Sequence, residues 1–151
     1  MLQPAIKILD SQRLMAISTV RPDGWPQTTI VGYANHGWTI YFAVFRTSQK
    51  FANIAHDDRI SIAVSGEPGS MSEIKAVYAG AHAAEVTDES ERALAWKLLV
   101  DRHPNLADFS PPDESEEALM RATCKYVSVL DYSQGIGHTE AQTVGEDEPA
   151  T

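Results

Sequence analysis

Two periodicities divide this chain. Stretches where apolar residues recur at every second position alternate with shorter stretches where they recur at i, i+3 and i+4. These are the marks of strands and of amphipathic helices. Pro4 to Ser11 predicts a short helix with Ile6 and Leu9 turned inward. Arg13 to Val20 predicts a first strand, with Leu14, Ala16, Ser18 and Val20 on one side and Met15, Ile17 and Thr19 on the other. Arg21-Pro-Asp-Gly-Trp-Pro26 is a reversal, since proline presets φ and Asp-Gly tolerates a tight turn. Gln27 to Ala34 and Trp38 to Val44 predict two more strands around the loop Asn35-His36-Gly37. The period then changes: Phe51, Ile54 and Ala55 have helical spacing, and that helix ends at His56-Asp57-Asp58. Arg59 to Ser65 and Lys75 to Val86 predict strands either side of a Gly/Pro/Ser loop, 66–72. The second is rich in alanine, and Gly80 within it marks a bulge or a close backbone contact. Asp88 with Glu91 predicts a capped helix. Its stripe is Ala93, Trp96, Leu99 and Val100, widened by Leu94 and Leu98, and Pro104 stops it. Asp113 with Glu116 repeats the capping pattern and predicts a short helix anchored by Leu119 and Met120. Cys124 to Asp131 predicts the last strand.

The chemistry concentrates at one change of period, between Thr39 and Ile54. A strand there stops, turns and feeds a helix whose N-cap is Thr47 or Ser48. A helix start presents unpaired N–H groups and the positive end of the helix dipole. Two hydroxyls, Thr47 and Ser48, and two cations, Arg46 and Lys50, accompany it here. Such a group suits an anion the size of a phosphate. An ordinary capped helix with two solvated cations has the same pattern, and the residues alone leave both readings open.

Composition narrows the function classes. The chain has 151 residues, 43% of them apolar, and fits a single globular domain. That domain is expected over residues 1–140, with 141–151 an acidic, disordered tail. A net charge of −9 disfavours a nucleic-acid or anionic-membrane partner while permitting a local basic pocket. The single cysteine, Cys124, excludes an intramolecular disulfide, and there is no leader or long apolar span, so a cytoplasmic protein is expected. The five histidines lack metal-ligand spacing, and no metal is expected. No nucleophile elbow, P-loop or dinucleotide fingerprint is present.

Several short motifs, taken in order, resemble the core of the pyridoxamine-phosphate-oxidase-like family, flavin-binding split β-barrels often described as general stress or FMN-binding proteins. They are the Gly24-Trp25-Pro26 turn, a strand ending in Thr47-Ser48-x-Lys50, then Phe51-Ala-Asn-Ile54 and Asp57-Asp-Arg-Ile-Ser-Ile62. The likeness runs from about Arg13 to Val86. A second block, Asp131-Tyr132 through Gly135-Ile136-Gly137-His138-Thr139, follows it, with Ile136 where an aromatic is usual.

The resemblance implies a mainly β fold with flanking helices (α+β), a six-stranded split β-barrel of the FMN-binding type. It implies FMN as cofactor, its phosphate gripped by Thr47, Ser48 and Lys50 with Arg46 as a second cation. Thr28, Thr29 and Ile30 would lie under the isoalloxazine, with Tyr41 and Ala43 flanking it. His138 and Tyr132 would reach the flavin from the same or the other subunit. A homodimer with the cofactor at the subunit interface follows, with the alanine-rich strand beside that interface. The Arg/Lys-rich set that the vitamin B6 enzyme uses for two phosphates is missing. The expected activity is therefore that of an oxidoreductase acting on another small molecule, in the manner of a flavin reductase. No residue stands out as a catalytic acid or base. The alternatives are a non-catalytic flavin-binding or redox-sensing stress protein, and a haem- or deazaflavin-binding relative. Deazaflavin binding would call for more cations than this acidic chain carries.

Overall fold

The computed structural model describes residues 2–144. Its elements are α1 (Leu2–Ser11), β1 (Leu14–Val20), β2 (Pro26–Gly32), β3 (Ala34–His36), β4 (Thr39–Phe45), α2 (Gln49–His56), β5 (Arg59–Ser65), β6 (Lys75–Glu85), α3 (Glu89–Arg102), β7 (Glu117–Asp131) and β8 (Thr139–Thr143). The strands form one antiparallel sheet in the order β2-β1-β5-β6-β7-β4-β3, with β8 added to β7. The path curls until β2 touches β4, which makes a split β-barrel with three flanking helices.

β7 holds the barrel together because its two halves serve different neighbours. Glu117 to Thr123 pairs with β4, Tyr126 to Leu130 pairs with β8, and β6 runs along both halves. The β6–β7 register shifts at Gly80/Ala81, where Gly80 faces Tyr126 and Ala81 faces Cys124. The extra residue is therefore Lys125 on β7, and Gly80 lies opposite the bulge. A Cβ on Gly80 would meet the Tyr126 ring at 3.3 Å, so the glycine is where two backbones and a ring approach closely.

Alternation sorts the apolar residues into two cores. Met15, Ile17, Ile40, Phe42, Ile62 and Val77 point into the barrel, with Leu9 of α1 closing it. Tyr41 and Leu119 point outward and are covered by Ala95 and Leu99 of α3.

Four expectations change. The strand expected over 27–34 breaks at Tyr33. Its phenol is fully buried and donates to the Leu9 carbonyl at 2.5 Å, while its N–H donates to the Arg13 carbonyl at 3.0 Å. The helix expected around Leu119 and Met120 is instead the start of β7. Ala118, Leu119 and Met120 are all buried, Met120 in the barrel and Leu119 under α3, and a run buried on both faces carries no period that separates strand from helix. The inner face of α3 is set by Ala95 and Leu99, while Ala93 and Leu94 are exposed. Two arginines occupy that face instead. Arg102 donates to the Leu9 and Gln12 carbonyls and to Asn35, and Arg92 pairs with Glu114. Finally, the sheet has eight strands rather than six: β3 combines Ala34 of the expected second strand with Asn35-His36 of the expected loop, and β8, Thr139–Thr143, runs into the tail expected from 141. Val144 follows β8 and donates its N–H to the Lys125 carbonyl. The rest of the expected tail, 145–151, lies outside the described residues.

Candidate functional site

β4 ends at Phe45 and α2 begins at Gln49, so Arg46, Thr47 and Ser48 form the connection. Ser48, not Thr47, is the N-cap. Its Oγ accepts from the Phe51 N–H at 3.2 Å and donates to the Phe45 carbonyl at 2.7 Å. The cap therefore occupies the Ser48 hydroxyl. The amides of Gln49 and Lys50, the first two of the helix, have no partner one turn earlier within it.

Lys50 is half-buried, and burial lowers its pKa from the ordinary lysine value. Its Nζ donates to Thr29 Oγ1 at 3.1 Å and meets no carboxylate among the described residues. Arg46 differs. Its guanidinium makes a two-toothed contact with Glu85, at 2.8 and 2.7 Å, and donates from Nε to the Glu114 carbonyl at 2.5 Å. It also lies over the Phe51 ring, 5.4 Å from the centroid. Hydrogen bonding to Arg46 lowers the Glu85 pKa and raises that of the guanidinium. Arg46 thus ties the turn to β6 and to the segment before β7. The expected pair of free cations reduces to Lys50, beside an exposed Thr47.

Below the turn, the fully buried Asn53 pins α2 to the barrel. Its Nδ2 donates to Thr19 Oγ1 at 2.9 Å and to Gln27 Oε1 at 3.0 Å, and its Oδ1 accepts from Gln49 at 2.8 Å. Sequence reasoning took Asn53 only as part of a motif. An amide within one turn of Phe51 and Ile54 on an apolar helix face was the available signal.

The three β2 residues expected beneath a ring divide between two faces. Thr28 and Ile30 point out of the barrel opposite Ser18 and Ala16, and Thr28 shares a 2.7 Å hydroxyl contact with Ser18. Thr29 points inward, where Lys50 reaches it. Thr28 lines a broad trough of about 640 Å³ on the outer sheet face, with Ser18, Ser61, Gly80, Tyr126 and Ala141. Small side chains make this hollow, and β8 supplies one wall of it. Tyr41 and Ala43 lie on another surface, beneath α3. Tyr41 is buried there, and desolvation, then the Glu91 charge, raise its pKa. Packing of α3 across β4 covers Tyr41, so it cannot flank an open ring site. Ala43, half-buried, lines a separate cleft of about 420 Å³ between β2, β4 and the C-terminal end of α3.

His138 and Tyr132 lie in the β7–β8 connection. His138 faces Glu140 at 3.4 Å, and Tyr132 donates its N–H to the Ile74 carbonyl. Glu117, at the other end of β7, pairs with Phe45 beside the turn. A 15-residue strand separates the two ends, a contour of roughly 45 Å. No hydrogen bond or ion pair links His138 with Lys50 among the described residues. No cluster of three potential metal-ligating residues occurs among the described residues. None of the described helices is long and apolar enough to cross a membrane.

A family model described as pyridoxamine 5'-phosphate oxidase matches residues 2–131. No curated protein matches the chain. Among solved structures, a haem-binding protein from Mycobacterium smegmatis is similar at a TM-score of 0.78 and 20% identity over 94% of this chain. The match spans 57% of that protein's length. General Stress Protein 26 from Bacillus anthracis has a TM-score of 0.71 at 17% identity, covering 95% of this chain and 98% of its own. An FAD-binding protein from Mesorhizobium loti has a TM-score of 0.68 at 18% identity, covering 84% of this chain and 91% of its own. At these identities the likenesses establish the fold.

Proposed function

The chain belongs to the pyridoxamine 5'-phosphate oxidase family, and from that membership together with the geometry at Lys50 we propose that it binds a flavin, FMN, through the turn between β4 and α2. The observation that carries this reading is a half-buried lysine that meets a hydroxyl and no carboxylate, at a helix start with two amides unpaired within the helix. A buried cation without an anion is costly, and a phosphate at this place removes the cost. The residues present fit such a group. Lys50 would neutralise its charge, while Thr47 and the Gln49 and Lys50 amides would donate to it. Ser48 would act through the cap and Arg46 by bracing the turn. The outer face of β2, at Thr28 and Ile30, is the surface on which the ring system would lie.

The flavin would supply hydride or electron transfer, and the protein orientation and electrostatics. The protein is, on this reading, an oxidoreductase acting on a small molecule. It works as a homodimer, because the trough leaves a large sheet face uncovered and because His138 would reach the cofactor of a second chain. A visible absorption spectrum of the purified protein tests the cofactor. Two flavin bands, with FMN in the heat-released fraction, are expected. A Soret band or a deazaflavin spectrum would replace the cofactor and keep the fold. A colourless protein that takes up no added FMN would end the flavin reading.

A further inference from the structure

The cleft of about 420 Å³ beneath α3 has a chemistry unlike that of the phosphate turn. Its floor is Gly32 and Ala43, two residues small enough to leave room above the sheet. The His103 ring lies over Gly32, where an added Cβ would meet its Cε1 at 3.0 Å. Trp96 and Phe109 contribute aromatic surface, Phe109 being 65% exposed. Glu117 is the one acidic side chain lining the cleft, and no lysine or arginine lines it among the described residues.

The charges around it are already paired. Arg46 is held by Glu85, Arg92 by Glu114 and Arg121 by Glu91. The Glu117 carboxylate has no hydrogen-bond or ion-pair partner among the described residues, although the residue is half-buried. His103 Nε2 lies 2.9 Å from the Tyr33 carbonyl, which can only accept, so Nε2 carries the proton. In the neutral ring Nδ1 is then a second acceptor. Aromatic faces, a lone carboxylate and an imidazole acceptor all favour a positive, hydrogen-donating ligand and disfavour an anion.

We propose that this cleft is a binding site for small aromatic ammonium compounds, with Glu117 taking the cationic group and Trp96 and Phe109 the ring. The volume lies in the range of small-molecule pockets. As the seat of the redox partner the cleft rests on the flavin reading above. As a site for cations it stands without it.

Calorimetric titration of the purified protein with tryptamine and with indole-3-propionate, at equal ionic strength, tests the proposal. These probes share a ring and differ in the sign of the charged group. Tryptamine should bind at least tenfold more tightly, and Glu117→Gln should remove about that factor. Glu116→Gln, an exposed neighbour, should preserve the preference, which separates a local site from the effect of the net charge of −9. Equal affinities, no heat from either probe at millimolar concentration, or a preference that survives Glu117→Gln would overturn it. FMN is titrated separately by fluorescence. Tryptamine binding without FMN binding would remove the flavin reading alone, and FMN binding without a cation preference would remove this one alone.

Discussion

Lys50 and Arg46 lie four positions apart, at the two ends of one turn, and their surroundings separate their roles. Glu85 satisfies Arg46 with two hydrogen bonds, while Lys50 has one hydroxyl. Replacing Lys50 by alanine should therefore weaken FMN binding by about 1.5–3 kcal/mol, the range of a charge-assisted hydrogen bond, and leave riboflavin affinity nearly unchanged. Quenching of flavin fluorescence gives both constants. Equal affinity of the unaltered protein for riboflavin and FMN would exclude a phosphate grip at this turn. Arg46→Ala should act differently, lowering the urea midpoint more than it lowers FMN affinity. Cys124, beside Lys125, is buried, and desolvation raises its thiol pKa to about 12. It should resist alkylation at pH 8 until the protein is unfolded.

At the scale of elements, the turn is only as well placed as α2, and α2 is held by Asn53 as well as by Phe51 and Ile54. Asn53→Ala leaves the Thr19 hydroxyl, the Gln27 carbonyl and the Gln49 amide without their buried partner. A loss of about 1–3 kcal/mol in urea unfolding is expected, together with weaker FMN binding, since the turn moves with the helix. α3 is fastened in the same manner. Arg102 bridges Leu9 of α1 and Asn35 of β3, and the Asp88 cap accepts from the Glu91 N–H at 3.0 Å. Asp88 and Asn53 show how differently such fastenings register in sequence. A cap has a fixed spacing to its helix, whereas the two partners of Asn53 in the barrel are 34 and 26 residues away.

For the whole molecule, the trough is larger than the cleft beneath α3, and a second copy is the partner proposed for it. Ser61 is exposed on its floor, so on the proposed dimer the unaltered protein should sediment as two chains, and Ser61→Arg should fold normally yet sediment as one. A cofactor shared between subunits would lose affinity in the same variant. Global stability carries a pH signature as well. Burial raises the Tyr33 pKa to about 12 and that of Cys124 to about 12, above their ordinary values of 10.0 and 9.0. Between those ordinary values and about pH 12 the unfolded chain ionises while the folded chain keeps its protons. Stability should be intact below pH 9 and fall as pH rises from there. Urea midpoints between pH 7 and 11 should show this decline, and Tyr33→Phe with Cys124→Ala should flatten it.

What the sequence by itself determined is local. The strand alternation of β1, β4 and β5, the change of period at residues 45–49, the cap at Asp88 and the close contact at Gly80 depend on neighbours a few positions away, and pattern and turn chemistry carry them. The tertiary structure decided whatever depends on which surfaces meet. It broke the second strand at Tyr33, whose phenol is buried against α1. It made Leu119 and Met120 a strand buried on both faces, where periodicity is silent. It engaged Arg46 with a glutamate 39 residues away and placed Tyr41 beneath a helix. Charge and hydroxyl content were readable in order along the chain. Which of those groups remain free for a ligand is a property of long-range pairing, and no local pattern encodes it.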